Sequence, residues 1–77
     1  MNIAPSILIN GPGFSLREVK SVSEALEFLE EWPKNARSPF WYLARNALDG
    51  ALTGSMPTDH ARDAFEAFCK ESGILLV

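Results

Sequence analysis

Cysteine, histidine and tyrosine each occur once in these 77 residues, cations are few, and long apolar runs are missing. The single cysteine, Cys69, rules out an intrachain disulfide. Small secreted domains usually carry several, so the count fits a reducing cytoplasm. One Cys and one His cannot supply the four nitrogen or sulfur ligands of a structural zinc site. No metal-binding or cofactor-binding motif is present, and Gly11-Pro12-Gly13 lacks the lysine and following helix of a phosphate loop. Apolar stretches such as Ile7–Ile9 and Ile74–Val77 fall far short of the roughly 18 to 20 residues of a membrane span. No cation precedes the apolar segment near the start, so Met1 to Asn10 does not read as a secretory signal. Seven basic against ten acidic side chains leave a net charge of −3. That balance disfavours a nucleic-acid binder, which needs clustered cations to displace phosphate counterions.

What remains is an ordinary globular composition, 47% hydrophobic and 22% charged. A chain this short buries only about 60% of its unfolded surface, which predicts one small domain over residues 1–77. Ile3 to Asn10 is rich in β-branched and aliphatic residues, Gly11-Pro12-Gly13 signals a turn, and Phe14 to Lys20 alternates, so a hairpin is predicted. Ser21 and Glu24 fit a capping box opening a helix that runs to about Trp32, before Pro33. Its apolar residues Val22, Ala25, Leu26, Phe28, Leu29 and Trp32 share an arc of roughly 160°. Ser38 as N-cap and Pro39 at the first helical position open a second helix, closed by Gly54. Its apolar arc, from Leu43 and Phe40 round to Trp41 and Leu52, spans roughly 180°, wide for a helix on a small domain. Gly50 sits at the edge of that arc, where close approach of another backbone is the expected reason for glycine. Thr58 caps a third helix, Asp59 to about Ser72, with Gly73 at its C-terminus. Ala61, Ala64, Phe65, Phe68 and Cys69 share one face of it. Ile74–Val77 reads as a short strand returning to the hairpin. The predicted fold is α+β, ββαααβ, with a small sheet packed against three helices.

Three ordered blocks of this pattern resemble one bacterial family. Ser21-Val22-x-Glu24-Ala25-x-x-Phe28-Leu29-x-x-Trp32-Pro33 is similar to its first helix. Tyr42 and Ala44, with small residues continuing to Gly54, resemble its second. Ala61-Arg62-x-Ala64-Phe65 and Gly73-Ile74 resemble its third helix and last strand. The family is domain of unknown function 982, small single-domain proteins found largely in alpha-proteobacteria, and the likeness spans roughly residues 14 to 77. The resemblance implies a small α+β fold and a cytoplasmic protein. It implies no activity and supplies no catalytic residues. The link from Lys34 to Pro39 and the aromatic trio that follows depart from the family pattern.

Candidate sites are few, and each has a plain structural reading beside the functional one. His60 with Asp59 and Asp63 could orient an imidazole, or form a solvated first helical turn. Cys69 lies about 13 Å along the same helix, too far for a Cys–His dyad, and reads as a small core residue. Glu24, Glu27, Glu30 and Glu31 line one face of the first helix, as a docking face for a basic partner, a weak cation site, or a solubilising face. Trp32, Phe40, Trp41 and Tyr42 place four large aromatics within eleven residues. Trp32 and Phe40 fall on the core arcs. Trp41, Tyr42 and Leu52 are the candidate contact surface for a partner, or else they cover the junction between helices. Arg62 is a candidate anion contact, or a structural ion pair.

No catalytic constellation emerges, so an enzyme is disfavoured. The leading expectation is a cytoplasmic protein–protein interaction or regulatory module, with an unidentified protein or a second copy of itself as partner, and with neither nucleic acid nor membrane. The alternative is a small-ligand binder or minor enzyme with a pocket between sheet and helices. A helix-turn-helix reading of the last two helices fails on charge: the third carries Arg62 and Lys70 against Asp59, Asp63, Glu66 and Glu71.

Overall fold

The computed structural model describes residues 2–10 and 15–76. Two strands open the chain, β1 (Asn2–Asn10) and β2 (Leu16–Ser21), followed by α1 (Val22–Glu31), a 3₁₀ turn (Lys34–Ala36), α2 (Pro39–Thr53) and α3 (Thr58–Glu71). The turn predicted at Gly11-Pro12-Gly13, Phe14 and Val77 lie outside the described residues.

The strands pair antiparallel, with Ile7 opposite Val19, Ile9 opposite Arg17 and Asn2 opposite Ser21. The register slips between Asn2 and Ile7, so β1 bulges there. Pro5, which has no N–H to offer the ladder, sits in that bulge. Period-two alternation then decides the faces: Ile3, Ile7, Ile9 and Val19 are buried, while Leu16, Glu18 and Lys20 face solvent.

The predicted C-terminal strand does not form. Residues 74–76 run back beside β1, but the pairing is an isolated bridge, Ile9 with Leu75. Asn10 N–H donates to the Ile74 carbonyl and Leu76 N–H to the Leu8 carbonyl. The segment leaves a Schellman turn directly, in which Ile74 N–H bonds the Cys69 carbonyl and Gly73 N–H the Lys70 carbonyl. That closure, with Gly73 at φ 75°, uses the residues a longer strand would need. Among the described residues the sheet is therefore two-stranded, and α3 is the last regular element.

Ser21 caps α1 as expected, its Oγ accepting from Glu24 N–H at 3.1 Å. Ser38 is the N-cap of α2 but makes no side-chain cap bond, and α3 begins one residue earlier than predicted, with Thr58 inside the helix and Pro57 before it. Gly54 closes α2 at φ 81°, the left-handed conformation that favours glycine. Gly50 is explained by the loop that follows: a Cβ there would stand 3.1 Å from Met56 Cβ and 3.4 Å from Ser55 Oγ.

The helices do not all sit on the sheet. α3 packs on β1 and α1 on β2, whereas α2 makes its main contacts with α3 and α1. The expected three-helix layer is thus two helices against the sheet with α2 outside them. One apolar cluster links both strands and the three α-helices, from Ile3 and Val19 through Leu29 and Phe65 to Leu48. Within it Phe28, Trp32, Phe65 and Phe68 meet in tilted and edge-on pairs at 5.3 to 6.3 Å, geometry that adds about 1 kcal/mol per pair beyond burial.

Candidate functional site

The outer position of α2 reassigns its aromatic residues. Trp41, a candidate either for a contact surface or for the junction between helices, is 2% exposed. Its Nε1–H donates to the Leu29 carbonyl at 2.9 Å, and the Arg37 guanidinium lies 4.1 Å from its ring centroid. Leu29 closes the last turn of α1, so its carbonyl has an unused lone pair that the indole satisfies. Phe40, expected in the core, is 41% exposed. Tyr42 is 55% exposed and packs edge-on against Trp41 at 4.9 Å. Leu52 is also exposed, on the opposite flank of α2 from Leu43. Of the trio Trp41, Tyr42 and Leu52, Trp41 is thus buried while Tyr42 and Leu52 remain at the surface.

The acidic face of α1 divides in the same way. Glu30 pairs with Arg45 of α2 at 2.6 Å, and Glu31 with Arg17 of β2 at 3.3 Å. Those two carboxylates tie α1 to its neighbours, each pair worth at most about 1 kcal/mol at such exposure. Glu24 and Glu27 make no ion pair among the described residues, Glu24 half-buried and Glu27 exposed.

The two exposed apolar side chains that the sequence reading placed in the core, Phe40 and Leu43, border a cleft of about 290 Å³. Leu43 is 61% exposed. Phe40, Leu43, Asn46 and Ala47 form the α2 bank, and His60, Ala64 and Ala67 the α3 bank, with Met56 closing one end. The signal was present in the sequence. An apolar arc of roughly 180° exceeds what one seam buries, so part of it had to remain at the surface. A second, more polar cleft of about 430 Å³ lies beside the end of α3, between Glu66, Lys70, Gly73 and Leu75.

The family model described as protein of unknown function (DUF982) matches residues 6–76, nearly the whole chain. The protein belongs to the DUF982 family. The match begins in β1, ahead of the first block that carried the resemblance, and it includes both banks of the cleft. No curated protein and no solved structure matches the chain.

The remaining candidates in this DUF982 chain turn inward or stand alone. Arg62 is mostly buried: Nε–H donates to the Pro5 carbonyl at 2.8 Å, and its terminal nitrogens lie 3.1 Å from Glu66 and 3.4 Å from Asp63. Its donors are thus directed into the fold, joining α3 to the β1 bulge, rather than toward an external anion. His60 is exposed on the bank of the cleft. Cys69 is fully buried, and desolvation, with a smaller contribution from the Glu66 carboxylate, pushes its thiol up from 9.0 to about 12. A thiol so placed stays protonated and is a poor nucleophile. Among the described residues no three of His, Cys, Asp and Glu gather as metal ligands, and no helix is long and apolar enough to cross a membrane.

Proposed function

We propose that this DUF982 protein is a cytoplasmic protein–protein interaction module whose contact face is the apolar cleft between α2 and α3. The observation that carries the reading is the exposure of Phe40 and Leu43 beside a concave, largely apolar floor of Ala47, Ala64 and Ala67. Large apolar side chains next to a groove of small ones suit helix or side-chain docking, in which a few anchors carry most of the energy. The ligand-binding alternative has less support. His60, Arg62 and Tyr42 do not converge: the first lies on the cleft bank, the second is tied to Pro5 and Glu66, and the third stacks on Trp41. Nucleic acid is disfavoured further by Arg62, whose inward contacts leave Lys70 as the exposed cation of α3.

The test pairs affinity capture from the host with amide chemical-shift mapping on the purified protein. A captured protein that Leu43→Glu no longer retains, and that shifts the amides around Phe40, Ala47 and Ala64, supports the module. Shifts confined to the cleft beside Glu66, Lys70 and Gly73, or to the exposed face of α1, would place the contact elsewhere and overturn it.

A further inference from the structure

This inference rests on the reading of the α2–α3 cleft as a contact face and names its occupant. We propose that the occupant is a second copy of the chain, docked about a twofold axis so that two α2–α3 pairs make a four-helix bundle. The two banks of the cleft are unlike in shape. Phe40 and Leu43 form a ridge on α2, and Ala64 with Ala67 form a low shelf on α3. An isologous twofold interface brings the same patch of both copies together, so that ridge lies against ridge and shelf faces shelf.

The order of charges along α3 fixes the arrangement. His60, Ala64, Ala67 and Glu71 follow one another at four, three and four residues and so lie in one line along the helix. Reversed and laid on itself about a point midway between Ala64 and Ala67, this line sets Ala64 against the partner's Ala67. It sets His60 against the partner's Glu71, an imidazole N–H facing a carboxylate. A twofold axis between antiparallel helices keeps each flank on its own side, so Asp63, on the outer flank, faces the partner's Lys70. His60, Lys70, Glu71 and Asp63 are all exposed in the single chain, Asp63 with a 3.4 Å contact to Arg62. Each complementary contact occurs twice by symmetry. On the other flank Phe40 comes to the partner's Leu43. A parallel pairing would instead oppose Glu71 to Glu71 and His60 to His60 along the line. The small side chains of the shelf allow the close approach that these contacts need.

Sedimentation velocity from low micromolar to near-millimolar protein tests the proposal, with circular dichroism confirming that each variant is folded. The wild type is expected to dimerise, and Leu43→Glu to weaken the dimer at least about tenfold. Glu71→Lys, which sets a lysine against the partner's His60, is expected to weaken it too. The double variant Glu71→Lys with His60→Glu restores opposite charges and is expected to recover the dimer. A wild type that stays monomeric throughout overturns the proposal. So does a dimer indifferent to Leu43→Glu, or a double variant no tighter than Glu71→Lys alone. The contact-face reading is judged separately. A monomer whose cleft amides shift on binding another protein removes the second copy and keeps the interaction module. A monomer whose cleft binds nothing removes both.

Discussion

Trp41 illustrates how one side chain can hold two elements together. Its ring fills the seam between α1 and α2, while its N–H satisfies the carbonyl of Leu29. Trp41→Ala should therefore cost about 3 to 5 kcal/mol by loss of packing and a cavity, enough to unfold a domain of this size. Trp41→Phe keeps most of the ring and removes one of two hydrogen bonds to the Leu29 carbonyl, which also accepts from Trp32 N–H, and should cost about 1 kcal/mol. Urea denaturation measures both, and a loss below about 1 kcal/mol for Trp41→Ala would mean the site is not core. Cys69 offers a check in pH. Its folded thiol ionises near 12 and its unfolded thiol near 9.0. The folded state thus holds the proton more tightly, so the associated stability is complete below pH 9 and is lost as pH rises toward 12. The slope over that window should approach about 1.4 kcal/mol per pH unit, and Cys69→Ala should flatten it. A native thiol that reacts with a disulfide reagent at pH 8 as fast as in urea would contradict this burial.

The elements followed local chemistry closely. Ser21 and Glu24 opened α1, Pro39 opened α2, and Gly54 and Gly73 closed α2 and α3 in positive-φ turns. Gly54→Ala places a Cβ at φ 81° and should cost about 1 kcal/mol, although nothing lies within 4 Å of the new atom. Gly50→Ala is the informative contrast. Alanine should stabilise a helix interior by about 1 kcal/mol over glycine. Here the added methyl meets Met56 Cβ at 3.1 Å, and the Ser55 and Met56 amides are both hydrogen-bonded to the Gly50 carbonyl, so the loop has little freedom to retreat. The expected gain is therefore absent. Thermal melts of the two variants would show it, and a Gly50→Ala protein more stable by the full propensity difference would mean that the loop yields.

Across the molecule, the layering of helices is what separates structural from exposed residues. α2 sits outside α1 and α3, so its wide apolar arc is covered on one side by those helices and left open at Phe40, Leu43 and Leu52. Arg62 is the long-range strut of the fold, spanning from α3 to the Pro5 carbonyl across fifty-seven positions of sequence. Arg62→Ala should cost about 1 to 2 kcal/mol, since the Pro5 carbonyl loses a charged donor and Glu66 its ion-pair partner. Arg62→Lys should recover only a small part of that, because an ammonium cannot serve Pro5 and Glu66 in the same fork geometry. Urea midpoints of the two variants within error of the wild type would show that Arg62 holds nothing.

The sequence by itself determined the two strands and three helices and most of their limits, because caps, glycine closures and apolar periodicity are local properties of ten or fifteen residues. It also determined the family, carried by the order of those blocks. Helix wheels placed Phe40 on the core arc and left Trp41 undecided, since the arc is wider than one seam and a wheel does not say where neighbouring helices press. Tertiary structure decided that choice through the Leu29 carbonyl, which pulls the indole inward. It decided likewise that Glu30 and Glu31 are ion-paired to other elements while Glu24 and Glu27 are not, and that Ile74–Leu76 makes a bridge rather than a strand. Each of these depends on a partner group distant in sequence, and such partners meet only when the chain folds.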